Sequence, residues 1–253
     1  MIADTAPNAH LPLMTAHWFT DPAANGPSAI RPCFTDVERR AFAEILAFAK
    51  DPANVDMELL QCLDAAGTSE HGRSIGRKAA PFTPEMDAAI AAEGGVRQWH
   101  NHPSQDSLSH QDWLCAGLSE TVEVLALNAN GSIFVGRIVE WDDRLHDLLP
   151  WLPTLSSDLE MHVDYLAKKR GLAVGHLVGL SSLTGHILNA ALANKMPVRY
   201  AFALFNGDQV TVAAADALSL VAHGIGFAEH AIQDWLDEQS PAADAGAQQR
   251  PGR

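Results

Sequence analysis

The chain has 253 residues, with 17 Lys+Arg against 31 Asp+Glu and a formal net charge of −14. An apolar fraction of 47% with 19% charged residues excludes wholesale disorder, and the length suits one large domain or two small ones with a real core. The acidic balance excludes a nucleic-acid backbone or an anionic membrane as the expected partner, because both select clustered Lys and Arg.

Residues 1–33 show no sustained periodicity and read as an irregular arm. Their opening, MIADTAPNAHLPLMTAHWF, has no basic start followed by a continuous apolar stretch, so it does not read as a secretory signal. Thr35-Asp36-Val37-Glu38 is a capping box that opens a helix to about Lys50, ended by Asp51-Pro52. Glu58 to Asp64 reads as a strand, turned at Ala65-Ala66-Gly67, with a second strand around Ser74 to Arg77. Thr83 caps a helix with Pro84 in its first position, which runs to Glu93 and stops at Gly94-Gly95. Val96 to His102 reads as a strand and Ser109 to Leu118 as a helix. Val122–Leu127 and Ile133–Val139 then flank Asn130-Gly131, a hairpin dipeptide that tolerates positive φ at both central positions.

From Leu145 the character changes. Ser156 and Ser157 cap a helix to about Lys169, closed by Gly171, and a helix rich in small residues runs from Leu177 to Asn194. A hairpin follows, Tyr200 to Phe205 and Gln209 to Ala213 around Asn206-Gly207-Asp208. A last helix covers Ala217 to Glu238, with a break expected at Gly224-Ile225-Gly226. The tail from Ser240 is poor in apolar residues and reads as disordered. The expected fold is therefore α+β: residues 34–144 form a mixed sheet with flanking helices, and residues 145–239 a mostly helical domain with a hairpin. No apolar run reaches about 18 residues, so no membrane span is expected. Cys33, Cys62 and Cys115 form neither a disulfide framework nor a Cys-x-x-Cys pair, which fits a reducing cytoplasm.

The chemistry concentrates in Trp99-His100-Asn101-His102-Pro103-Ser104-Gln105-Asp106-Ser107-Leu108-Ser109-His110-Gln111-Asp112-Trp113. Side chains alternate along a strand, so His100 and His102 share a face. Ser109 and Asp112 are one helical turn apart and share another. Two imidazoles and a carboxylate suit Zn²⁺ with a fourth position open for water, the pattern of a catalytic rather than a structural site. With 12 His in the chain, some His-x-His arises by chance about half a time, whereas the whole string arises roughly once in several thousand such chains.

This string resembles the signature of JAMM (MPN-type) metalloproteases, His-x-His-Pro, a spacer, then Ser-x-x-Asp. The run His100–Asp106 is similar to the RadC-like branch, which usually has Gly where this chain has Gln105. The spacer Ser104–Leu108 is one residue shorter than the family's usual one, and the helix-hairpin-helix module common in that branch is not found. The resemblance covers about residues 55–142. It implies that His100, His102 and Asp112 bind zinc, that Ser109 holds an oxyanion, and that a glutamate on an early strand is the general base. Glu58 fits that place, with Glu70 as its competitor.

The implied activity is hydrolysis of an amide bond in a protein or peptide, including one at the C-terminus of a ubiquitin-like modifier. A homodimer through the C-terminal helices fits the small-residue helix. Two other classes stay open: a RadC-like protein of mobile-element or genome-defence context, and an inert JAMM scaffold. Ser109 and Asp112 also read simply as N-cap and N3 residue of a helix. His110 reads as a surface residue, Cys115 as inward-packed, and Trp99 and Trp113 as packing residues. His162, His176, His186, His223 and His230 share no spacing and read as core-edge or surface histidines.

Overall fold

A computed structural model describes residues 35–239 apart from 94, 105, 120, 174–179, 205–210, 212 and 213. The expected capping box opens α1 (Asp36–Lys50): Glu38 N donates to Thr35 Oγ1 at 3.1 Å and Thr35 N donates to Glu38 Oε2 at 2.7 Å. There follow β1 (Met57–Asp64), β2 (Glu70–Arg77), α2 (Pro84–Glu93), β3 (Val96–Asn101), α3 (His110–Leu118), β4 (Glu123–Leu127) and β5 (Ile133–Ile138). The C-terminal part adds α4 (Asp143–Leu148), α5 (Leu152–Arg170), α6 (Leu180–Lys195), β6 (Val198–Ala203) and α7 (Leu220–Gln239).

The fold is mixed α/β. All six strands join one open sheet in the order β2-β1-β3-β4-β5-β6. β3 and β4 run parallel, with α3 as the crossover, and the other neighbours are antiparallel. Alternation gives the sheet two apolar faces. Leu59, Leu63, Trp99, Leu125, Leu127 and Val135 point to one face, which α1 covers with Ala41, Phe42 and Ile45. On the other face Leu60, Cys62 and Val96 meet Met86 of α2. There too, Val124, Ala126, Phe134 and Val198 enter a large core with Trp113 of α3 and residues of α4 to α7. This core runs from Leu108 to Ile232, so the C-terminal helices and the sheet share it. Among the described residues no helix is long and apolar enough to cross a membrane.

Several elements differ from expectation, each for a local reason. β2 begins at Glu70 rather than Ser74, because the β1 ladder pairs as far as Leu63 opposite Glu70. In the β4–β5 turn only Gly131 takes a positive φ, 97°. Asn130 shapes the turn instead with its side chain, Oδ1 accepting from Ser132 N at 2.8 Å. The helix expected to start at Ser156 starts at Leu152, since Pro153 sits in its first turn, where a missing N–H costs nothing. α7 is unbroken at Gly224: a Cβ there would lie 3.1 to 3.2 Å from Ile187 and Val163, so close helix packing fills the space. The expected C-terminal hairpin has its first strand as β6, but β6 pairs with β5. Its turn and most of its second strand lie outside the described residues, and Thr211 is helical.

Candidate metal centre

The strongest local chemistry lies where β3 ends. His100 is the fifth residue of β3, paired with Leu60 of β1 on one side and Ala126 of β4 on the other. His102 lies just past the strand, its N–H still donating to Leu127 O at 3.2 Å. Pro103 then turns the chain into a loop that returns as α3. Ser109 is the N-cap of α3 and Asp112 its N3 residue, in a reciprocal capping box: Asp112 N donates to Ser109 Oγ at 3.2 Å and Ser109 N to Asp112 Oδ2 at 2.6 Å. The capping reading of Ser109 and Asp112 therefore holds, and it aims the carboxylate back across the loop at the histidines.

The three side chains converge. His100 Nε2 and His102 Nε2 are 2.9 Å apart, Asp112 Oδ1 is 3.2 Å from His100 Nε2, and Oδ2 is 3.2 Å from His102 Nε2. Both histidines are buried, and the Asp112 side chain is only 15% exposed. Tetrahedral zinc with Zn–N bonds of about 2.0–2.1 Å needs donor atoms about 3.3 Å apart. His102 Nδ1 lies 3.0 Å from Asp106 O, placed to donate there, which leaves the Nε2 lone pair facing the cluster. The donor set thus fits a divalent cation in ligand type and spacing, and this group could hold a metal ion.

The electrostatics agree. Burial alone would raise the Asp112 pKa, but the imidazoles of His100 and His102, by charge and hydrogen bond, hold it well below the usual carboxylate range. Burial alone would lower the His102 pKa. Asp112, the Asp106 carbonyl and the charge of Glu58 outweigh it and push it up to about 9. A buried carboxylate and its histidines thus need a proton or a cation between them.

Glu58 lies on β1 two residues before Leu60, the partner of His100, so alternation puts it on the same face as the histidines. Its charge reaches His102 and Cys115. Its Oε1 accepts from Ala80 N at 3.2 Å, and it is half-buried. Glu70 is bound by Arg73 through two contacts of 2.7 Å and pairs with Leu63, three residues along β1 from Leu60, the partner of His100. Burial first, then the charges of Asp112 and Glu58, push the Cys115 thiol up, so it is held as a neutral thiol rather than a nucleophile. Trp99 and Trp113 are fully buried packing residues. His110 is half-buried and borders a cavity of about 380 Å³ that opens beside Ser109, between the loop and Leu152, Ser156 and Glu160 of α5 and Thr184 and Leu188 of α6.

His186 is buried, whereas His162 is half-buried and stacks on Phe227. His223 bonds Arg170, His230 is exposed near Asp234, and His176 lies outside the described residues.

Sequence reasoning missed two asparagines. Asn101 stands between the histidines with its side chain on the opposite face. Its Oδ1 accepts from Leu59 N at 2.7 Å and its Nδ2 donates to Met57 O at 3.0 Å, so it grips both neighbours of Glu58. Asn189, in mid-α6, bonds both the loop and α3. The available signal was a poor helix former inside the apolar run Ile187-Leu188-Asn189-Ala190-Ala191, since a buried amide there must find partners. Comparison with protein-family models, curated proteins and solved structures finds no match to the chain.

Proposed function

We propose that the chain is a zinc-dependent hydrolase of JAMM type that cleaves an amide bond in a protein or peptide, in the cytoplasm. The observation that carries this reading is the convergence of His100, His102 and Asp112, whose ligand atoms all lie within 4.8 Å of one another. Bound there, zinc supplies Lewis acidity and a water of pKa near ~7.

The chain's own residues supply the rest. Glu58 takes the proton of the attacking water and passes it to the leaving amine. The Ser109 hydroxyl accepts from Asp112 N, which leaves its own hydrogen to donate to the substrate carbonyl oxygen as negative charge develops. Ser109 is exposed at the mouth of the cavity, so a substrate carbonyl reaches it without rearrangement of the core. An extended tail, such as the C-terminus of a ubiquitin-like protein, suits a cleft of this size. The exposed Met161 and Tyr165, one turn apart on α5, give the C-terminal helices an outward face for a second copy.

The test is the zinc content of purified protein, wild type against His102→Ala, followed by cleavage of a panel of ubiquitin-like fusions. The expected result is about one zinc per chain in wild type and none in the variant. Wild type that takes up no zinc even after reconstitution overturns the reading.

A further inference from the structure

Behind the loop that joins the histidines to Asp112 lies a polar cluster that no step above uses. Asn189 of α6 is its centre. Its Oδ1 accepts from Trp113 Nε1 at 2.7 Å, and its Nδ2 donates to Leu108 O at 2.7 Å and to Ser107 Oγ at 3.0 Å. Ser107 Oγ also lies 2.7 Å from Tyr200 OH of β6, which is 3.1 Å from His186 Nδ1. Asn189, Ser107, Trp113, Tyr200 and His186 are all buried. A buried polar atom is costly to leave unpaired, so these bonds favour keeping the cluster together.

The two ends of this cluster meet the candidate metal ligands. Trp113 follows Asp112 directly on α3. Ser107 follows Asp106, whose carbonyl faces His102 Nδ1. One side chain therefore holds the indole of Trp113, the residue next to Asp112, and the hydroxyl of Ser107, the residue next to the outer partner of His102, together with the Leu108 carbonyl between them. Resting on the metal reading above, we infer that Asn189 is a positioning residue for the metal centre, supplied by the C-terminal helical part. It sets the distance between the Asp112 carboxylate and the His102 ring by tying α3 and the loop to α6. A hydrogen-bonded frame of this kind behind metal ligands is typically worth ~10–100-fold in metal affinity.

The experiment is metal titration of the full chain with Zn²⁺, and with Co²⁺ as a visible-absorbing reporter of ligand geometry. Wild type is compared with Asn189→Asp, Ser107→Ala and Asn194→Ala. Asn189→Asp keeps the acceptor for Trp113 and removes both donors to the loop. Ser107→Ala deletes one oxygen and serves if the first variant does not melt cooperatively. Asn194 is an exposed residue of the same helix, bonded to Glu229, and controls for general effects on α6. The expected result is a zinc affinity weaker by ~10–100-fold in Asn189→Asp, a smaller loss in Ser107→Ala, and an altered cobalt band in both. Asn194→Ala should match wild type. Folded variants that bind zinc as wild type does, with an unchanged cobalt band, overturn the inference alone. A wild type that binds neither metal overturns the metal reading and the inference with it.

Discussion

Glu58 is held through its neighbours as well as through the Ala80 N–H that its carboxylate accepts. Asn101 grips the backbone on either side of it, so the side chain is presented at a fixed height beside the histidines. Glu58→Gln should therefore keep zinc and lose about 10²–10⁴-fold in turnover on whichever ubiquitin-like fusion wild type cleaves. Equal turnover by the variant would remove Glu58 from the mechanism. His186 makes a separate prediction about pH. Burial lowers its pKa to about 4, while in the unfolded chain it titrates near ~6.5. On acidification the unfolded state takes the proton first. The contribution to stability is therefore complete above pH ~6.5 and is lost as the pH falls toward 4, by about 3 kcal/mol. Urea midpoints of wild type and His186→Asn across this window should show the variant with the shallower pH dependence. Parallel curves would mean that the imidazole does not titrate as its burial requires.

At the scale of elements, Gly136 shows how tightly β5 and α3 are fitted. A Cβ there would lie 2.5 Å from Leu108 Cδ1 and 2.7 Å from Trp113 Cη2. Both neighbours are buried in the large core, where a shift of either would disturb its packing. Gly136→Ala should cost about 1–3 kcal/mol in chemical denaturation, as overpacking of a filled core does. The elements most legible in the sequence were those written in local chemistry: the Thr35–Glu38 box, Pro84 at a helix start, and Gly171 at a helix end with φ 78°. The His100–Asp112 string was legible for the same reason, because its parts lie within one strand, one loop and one helical turn. The extent of β2, the partner of β6 and the roles of Asn101 and Asn189 were not. Each depends on a residue between 7 and 82 positions away along the chain, or on which strand pairs with which. Local periodicity carries no record of such choices.

For the whole molecule, the sheet and the C-terminal helices share one core, and β6 pairs along the β5 edge, so the two parts are expected to unfold together. A chain cut after residue 144 would expose Val124, Ala126 and Phe134 together with the Trp113 indole. It should give no cooperative thermal transition, whereas a chain cut after residue 239 should melt as the full chain does. A stable, cooperative 1–144 fragment would show instead that the sheet half is self-sufficient. The hydrogen bonds to Asn189 and Tyr200 also order events in time. The histidines and Asp112 leave the ribosome within 13 residues of one another, but Trp113 waits 76 residues for Asn189, and Ser107 waits 93 for Tyr200. At about 5–20 residues per second, several seconds of synthesis separate the ligands from the groups that steady them. On the proposed metal reading, loading would then be a late event that follows completion of the C-terminal helices.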